Sequence, residues 1–283
     1  MTGSATKKAC VIGWPIEHSR SPLIHGYWLK TYGIDGTYTK EAVRADELDT
    51  FLKSLKEHGI AGCNVTVPHK EAAFAAAQEK DESAIAVGAA NTLWLGDRGR
   101  LFCANTDTYG FMTHLDVSAP EWKRRDAPVL ILGAGGAARA IIYGFLNAGV
   151  ERIVIANRSR SRADQLADYF GPKVHAIDWD QRNEAAREAG VIVNTTTLGM
   201  KGEGDPGINF SAMRVKQAVA ADIVYVPLET AFLKNARTHG LVGVDGLGML
   251  LHQAVPGFEK WFGVRPKVTN DLRNLIVADI EGA

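Results

Sequence analysis

Cysteine is scarce in this sequence. The three that occur in 283 residues, Cys10, Cys63 and Cys103, are widely spaced and form no CxxC, so neither a disulfide framework nor a zinc site is suggested. Reduced thiols and no metal are expected. Long apolar runs are missing too. None approaches the roughly 20 residues that cross a bilayer, and Met1–Ala9 has no apolar signal core, which points to a cytoplasmic protein. Neither sign of charge is in excess, because 32 Lys and Arg face 32 Asp and Glu. That balance argues against nucleic acid or an acidic membrane as partner, yet leaves room for a small anionic ligand. Repeats and low-complexity tracts are also lacking. What is present is 46% hydrophobic residues and 29 glycines, enough core for two modest domains.

The first hundred residues alternate short apolar strands with helical patterns, as in a sheet covered by helices. Strands are expected at Lys8–Ile12, Thr37–Val43 and Ala61–Val67. Ser21-Pro22 reads as an N-cap with proline at the first helical position, Asp46–His58 as a capped helix, and Pro68 as the start of an alanine-rich helix. After the polar stretch Ala119–Asp126 the pattern restarts as strand Val129–Leu132, a glycine loop, helix Ala137–Ala148 and strand Arg152–Ala156. Further strands at Val191–Thr195 and Ala221–Val226 imply a doubly wound parallel sheet. Beyond Gly248 only two helices remain, Met249–Phe262 and Asn270–Ile280. The fold class is therefore α/β with two domains, one of them Rossmann-like. Residues 1–106 with 247–283 are expected to form a discontinuous substrate domain, and 107–246 a nucleotide domain.

The loop Gly133-Ala134-Gly135-Gly136-Ala137-Ala138 follows an apolar strand and opens a helix, the context that gives a G-x-G-x-x-A spacing its meaning. Gly133 allows the tight turn, Gly135 lets backbone approach a pyrophosphate, and Ala138 keeps the helix close to the sheet, while the helix N-terminus offers unpaired N–H donors. An NAD-type fold usually ends its second strand with an acid. Here Asn157-Arg158-Ser159-Arg160 follows instead, so the site favours the 2′-phosphate of NADP, with Arg158 first and Ser159 and Arg160 as helpers. Solvated residues at a helix start are the competing reading of both arginines, and it stands level with the phosphate reading only for Arg160.

Four further clusters put small polar groups immediately after apolar strands, at the strand ends where α/β folds place ligands. In Gly13-Trp14-Pro15-Ile16-Glu17-His18-Ser19-Arg20-Ser21-Pro22, two serine hydroxyls at a helix entrance could hold a carboxylate, although Ser21 could simply cap and Ser19 could form a local turn. In Asn64-Val65-Thr66-Val67-Pro68-His69-Lys70, the lysine sits at the positive end of a helix dipole, where the ammonium is disfavoured and proton transfer is useful. His69 reads as exposed or packing. Asn91-Thr92 and Asn105-Thr106-Asp107 complete the set, with an N-cap as the competing reading of Asp107. An amide and a carboxylate converging with Lys70 would make a polyol-recognising acid/base site.

Taken together, the ordered set G-x-P-I-x-H-S-x-S-P, N-V-T-x-P-x-K, N-T-D, G-A-G-G-A, N-R-S and G-x-G-M-L-x-x-Q-A resembles the shikimate dehydrogenase family over nearly the whole chain. The resemblance implies reversible, NADPH-dependent reduction of 3-dehydroshikimate to shikimate by a monomer or homodimer. It implies Lys70 and Asp107 as the catalytic pair and Ser19 and Ser21 on the substrate carboxylate. Thr66, Asn91 and Gln253 then contact ring hydroxyls and Tyr225 lines the site. The cofactor set is Gly133–Ala137, Asn157, Arg158 and Ser159, with Thr195 and Gly246; Asn194–Met200 resembles the family's N-A-T-S-x-G-M on the nicotinamide side. Two positions depart from the pattern: Gly26 stands where asparagine usually follows the histidine of S-P-x-x-H, and Cys103 where glycine usually precedes N-T-D. A quinate or dual-specificity dehydrogenase, and a catalytically idle NADP-binding sensor, are the alternatives.

Overall fold

The computed structural model describes residues 6–124 and 126–282. The first five residues of the Met1–Ala9 segment, Arg125 within Ala119–Asp126, and Ala283 lie outside the described residues. The chain folds as two compact units, one of Met1–Asp107 with Gln253–Ala283 and the other of Thr108–His252.

The first unit is built from β1 (Lys7–Gly13), α1 (Ser21–Thr31), β2 (Gly36–Ala42), α2 (Leu48–Ser54), β3 (Ile60–Val65), α3 (Lys70–Ala76), β4 (Glu79–Lys80), α4 (Glu82–Val87), β5 (Thr92–Leu95) and β6 (Leu101–Ala104). Its sheet has the order β2-β1-β3-β5-β6-β4. β1 runs parallel to β2 and β3, whereas β5 is antiparallel to both β3 and β6. β6 therefore points the same way as β1 and β3. Chain leaving β1, β3 and β6 and chain entering β5 all meet at one sheet edge, the edge that carries Ser19, Lys70, Asp107 and Asn91.

Inward residues alternate along these strands with period two. Cys10, Ile12, Cys63, Val65, Leu93, Leu101 and Cys103 form one buried face under α2, α3 and α4. The three cysteines are free and buried. The opposite face carries an aromatic layer in which Tyr38 meets His25 of α1 and Trp261 near the C-terminus, while Trp28 of α1 meets His25 and Phe258. The Trp261 indole donates to the carbonyl of Leu93 at 2.9 Å.

The second unit begins within α5 (Asp107–Ser118). It continues through β7 (Val129–Leu132), α6 (Gly136–Asn147), β8 (Ile153–Asn157), α7 (Arg160–Phe170), β9 (Val174–Asp178), α8 (Arg182–Ala186), β10 (Val191–Asn194), β11 (Val219–Asp222), α9 (Ala231–Thr238) and β12 (Val242–Val244). It ends within α10 (Gly246–Phe262), after which α11 (Asn270–Glu281) closes the chain. The sheet order is β12-β11-β10-β7-β8-β9, parallel throughout, the doubly wound arrangement expected of a Rossmann-like domain. Both faces are covered, so alternate residues of one strand serve two cores. Val129, Ile131, Ile153 and Ile155 belong to one; Leu130, Leu132, Val154 and Ala156 belong to the other.

Several boundaries differ from those expected. Ser21 does not cap α1: Arg20 holds the N-cap position with no side-chain cap, and Ser21 is the first helical residue. The helix expected over Asp46–His58 is α2, which covers only Leu48–Ser54 and also lacks a side-chain cap, because Glu47 turns back to accept from the Arg44 N–H instead. Val67-Pro68 is a cis peptide, β3 stops at Val65, and the helix starts at Lys70 rather than at the proline. The strand expected over Ala221–Val226 is β11, which ends at Asp222, where its carboxylate accepts from the Val224 N–H and turns the chain out of the sheet. Asn91 precedes its strand instead of following one.

The aromatic layer yields a stability prediction. A Cβ on Gly62 would sit 2.1 Å from the Leu93 carbonyl oxygen and 2.4 Å from the Trp261 Nε1. Neither β5 nor the buried indole can recede, so Gly62→Ala is expected to destabilise by ~1–3 kcal/mol or more, as overpacking does. Thermal denaturation checks this. An unchanged midpoint would mean the tryptophan is not locked there.

Candidate active site

Lys70 is the first residue of α3, and its position is set from both sides. The preceding His69 is buried, its Nε2 is 2.7 Å from the Val43 carbonyl oxygen, and its own carbonyl accepts from the Ala73 N–H. His69 is thus a packing residue. The Lys70 carbonyl accepts from the Ala90 N–H at 2.9 Å, which fixes the start of α3 against the segment leading into β5. From there the Lys70 ammonium donates to Asp107 Oδ2 at 2.7 Å, so the charge disfavoured by the positive end of a helix is matched by a carboxylate. Both groups keep some solvent access, with the lysine side chain 33% and the aspartate side chain 16% exposed.

Asp107 is the first residue of α5, and neither of its oxygens caps that helix. Oδ2 takes the lysine, and Oδ1 accepts from Asn91 Nδ2 at 2.8 Å. The Asn91 side chain is buried and fully engaged. Its Oδ1 accepts from the Thr106 N–H at 2.8 Å and from the hydroxyls of Thr106 and Thr92, both at 3.0 Å, and its Nδ2 also faces Gln253 Oε1 at 3.4 Å. Lys70, Asp107, Asn91 and Gln253 are therefore brought together in one unit. Such a group offers a mobile proton on nitrogen, a carboxylate that orients it, and amides able to exchange hydrogen bonds with hydroxyls.

In the same unit Thr66 is half-buried at the end of β3 and Ser21 is buried. The Ser19 hydroxyl is 3.4 Å from the Ser21 N–H, the local turn considered for it. Between them Arg20 turns its guanidinium to Asp279 at 2.8 Å.

The second unit contains a cleft of about 220 Å³ lined by Gly133, Gly135, Asn157, Arg158 and Thr195–Leu198. Gly133 has a φ of +110°, and a Cβ there would lie 2.7 Å from the Thr195 Oγ1, so both backbone and space require glycine. Gly135 and Gly136 face open space, and α6 starts without a side-chain cap. Free N–H donors at a helix start, beside a surface that backbone alone forms, fit a pyrophosphate. Asn157 donates to the Ser159 carbonyl at 2.8 Å and shapes the turn that carries Arg158.

Arg160 is not the expected helper: its guanidinium pairs with Asp164 at 2.8 Å and Asp178 at 3.4 Å. Ser159 shares a hydrogen bond with the Ser161 hydroxyl. Arg162 and Trp179 line the cleft instead. Arg162 was legible, since it stands four residues after Arg158; Trp179 comes from beyond β9 and carried no signal.

Tyr225 lies half-buried in the irregular segment after β11. A Cβ on Gly246 would meet the Ile223 carbonyl oxygen at 2.3 Å, so the start of α10 packs on this segment. Asp222, which sequence reading passed over, anchors it: the buried carboxylate accepts from Asn194 Nδ2 at 2.9 Å, from the Val224 N–H at 3.0 Å and from the Thr230 hydroxyl at 2.7 Å. Asn194 in turn holds Thr196 and Leu198.

Three family models match this chain. Residues 11–93 match the shikimate dehydrogenase substrate binding domain, residues 118–200 the shikimate / quinate 5-dehydrogenase model, and residues 246–270 the shikimate 5'-dehydrogenase C-terminal domain. The shikimate dehydrogenase (NADP(+)) of Brucella canis is 55% identical over 280 residues, covering 98% of this chain and 96% of that one. Among solved structures, shikimate 5-dehydrogenase from Thermus thermophilus in complex with NADP(H) and shikimate is 33% identical with a TM-score of 0.84, covering 98% and 100% of the two chains. Quinate dehydrogenase from Corynebacterium glutamicum in complex with NAD is 29% identical with a TM-score of 0.88, covering 96% and 99%.

Asp222 generates a pH prediction. Burial raises its carboxyl from 3.8 to about 6, against the opposing hydrogen bonds from Thr230, Val224 and Asn194. The folded state thus binds this proton more tightly than the unfolded chain. Its contribution to stability is poorest above pH 6 and improves as pH falls from about 6 towards 3.8. Asp222→Asn, which keeps the shape and removes the charge, should be more stable than the parent at pH 7 to 8 by up to about 3 kcal/mol. The advantage should fade to nothing near pH 4. A stability difference independent of pH would contradict this.

Proposed function

The chain belongs to the shikimate dehydrogenase family, and from that membership we propose how its residues carry the family's reaction. It catalyses the NADPH-dependent, reversible reduction of 3-dehydroshikimate to shikimate. The observation that carries the residue-level reading is the Lys70–Asp107 pair held by Asn91.

NADPH supplies the hydride. As the carbonyl carbon accepts it, the Lys70 ammonium gives one proton to the developing alkoxide, and in oxidation the neutral amine takes the hydroxyl proton back. Asp107 holds the lysine and the reacting hydroxyl in line, so its role is orientation and charge. Ser19 and Ser21 fix the substrate carboxylate, Thr66, Asn91 and Gln253 bind ring hydroxyls, and Tyr225 lines the site.

Gly133, Ala134, Gly135, Gly136 and Ala137 cradle the pyrophosphate. Arg158, shaped by Asn157 and Ser159 and joined by Arg162, takes the 2′-phosphate. Thr195 and Gly246 stand on the nicotinamide side. In domain terms, residues 1–106 with 247–283 hold the substrate and 107–246 the cofactor. No helix among the described residues is long and apolar enough to cross a membrane. We place the enzyme in the cytoplasm as a monomer or homodimer.

The quinate and sensor readings have less support. The 55% relative carries the shikimate dehydrogenase name, whereas the quinate enzyme is 29% identical, and a pure binder needs no acid/base pair.

Two experiments test the assignments. Lys70→Ala should lower kcat at least ~100-fold with much smaller changes in shikimate and NADP binding, and Asp107→Asn should be severely impaired while still folded. Near-parental turnover in Lys70→Ala would remove it from the mechanism. Arg158→Ala should weaken NADP by ~1.5–3 kcal/mol and leave NAD nearly unaffected, as measured by KM for each cofactor. Equal losses for both would contradict a 2′-phosphate role.

A further inference from the structure

The first turn of α10 is held on two sides, and a glycine marks each contact. A Cβ on Gly246 would meet the Ile223 carbonyl oxygen, and a Cβ on Gly248 would fall 2.0 Å from Nδ1, 2.1 Å from Cε1 and 2.3 Å from Cγ of His114. The imidazole of His114, on α5, therefore lies across the Gly248 backbone. Glycine weakens a helix, so two in one turn call for a reason, and here the reason is close approach.

His114 is itself fixed at both ring nitrogens. Its side chain is only 12% exposed. Nδ1 is 3.2 Å from the Ser118 hydroxyl, one turn along the same helix, and Nε2 faces Asp245 Oδ1 at 3.7 Å, within ion-pair reach. That same Oδ1 accepts from the N–H groups of Leu247 and Gly248 at 3.0 and 3.2 Å, so it caps the start of α10. His252, one turn after Gly248, stacks on the His114 ring with centroids 6.1 Å apart at 28°. Burial, and then His114 itself, lower the His252 imidazole to about 4, so it packs as a neutral ring.

Packing alone would be met by an apolar side chain. The imidazole adds two directed nitrogens, one tied to its own helix and one aimed at the residue that caps the next. It thereby sets where the α10 turn lies along α5, and Gly246 stands in that turn.

We propose that His114 is a positioning residue of the cofactor site: through Gly248 and Asp245 it fixes the first turn of α10, and with it the Gly246 backbone that meets the nicotinamide end of the cofactor. This rests on the reading of Gly246 as a nicotinamide-side residue.

Two probes separate the ends of the cofactor: NADP, which carries nicotinamide, and adenosine 2′,5′-bisphosphate, which does not. In the parent, NADP and not the bisphosphate should slow backbone hydrogen exchange over residues 245–248. His114→Ala should lower kcat about 10-fold or more, as displacement of a reacting group does, while bisphosphate binding and KM for shikimate stay within about threefold. It should also abolish the slowing of exchange by NADP. Gly248→Ala should give the same pattern by pushing on the ring, and adding it to His114→Ala should cost little more. Where His114→Ala does not fold, Gly248→Ala carries the same comparison. Parental kcat and NADP response in His114→Ala, with or without a lowered thermal midpoint, would overturn the proposal and leave His114 a packing residue. So would bisphosphate binding that weakens in step with kcat, the mark of general loosening, or effects of the two substitutions that multiply. If NADP leaves exchange over 245–248 unaltered in the parent, the reading of Gly246 fails and takes the inference with it.

Discussion

An amide side chain has one oxygen and one NH2 group, and at Asn91 each is assigned. Its oxygen faces three donors from Thr92 and Thr106, and its NH2 faces two acceptors, Asp107 and Gln253. This polarity cannot be reversed. A buried amide turned over would set oxygen against carboxylate and NH2 against N–H, each an unsatisfied pair in a medium where such pairs are expensive. Because the Asn91 backbone also pairs with Ala104 and accepts from Val65, the orientation is imposed by β3 and β6. The Lys70–Asp107 pair inherits its geometry from that imposed amide.

Strand direction explains why such a hub is possible. In the first unit the reversal of β5 brings the entry of one strand to the edge where three others leave, so Asn91 and Asp107 meet although 16 residues separate them. The second unit reaches the same end by uniform direction. Loops after β7, β8 and β10 open on one edge, and they supply Gly133, Arg158 and Thr195. A sheet edge is the place where backbone groups lose their ladder partners, and both units fill it with side-chain amides, hydroxyls and glycines.

The sequence was most legible where local chemistry had one solution. Gly133 follows an apolar strand and needs a left-handed turn, and the structure has that turn; β7 runs over Val129–Leu132 as the pattern indicated. Helix starts were read less well. Ser21, Asp46 and Pro68 have the right chemistry for capping, yet the boundaries fall elsewhere: Arg20 takes the N-cap position of α1, the turn closed by Glu47 precedes α2, and His69, locked to Val43, precedes α3. Pairings distant in sequence left no local trace. Arg160, named as a helper to Arg158, pairs with Asp178 of β9, a partner that its own sequence neighbourhood does not reveal. The partners of Asp222, which are Asn194 and Thr230, stand 28 and 8 residues away and left no local signal.

The bare start of α6 has a consequence for the life of the protein. A serine or aspartate at that position would add only a few tenths of a kcal/mol over glycine, yet its side chain would occupy the N–H donors that Gly135 leaves open. With Gly135 there, the helix end stays open, and under the proposed placement of the cofactor's pyrophosphate the bound nucleotide completes it, so that resistance to unfolding becomes a function of nucleotide supply. At a nucleotide concentration 100 times its dissociation constant, mass action adds about 2.7 kcal/mol. A cell depleted of the nucleotide would therefore hold a softer, more readily degraded enzyme, and its abundance would follow the cofactor pool without any dedicated regulator.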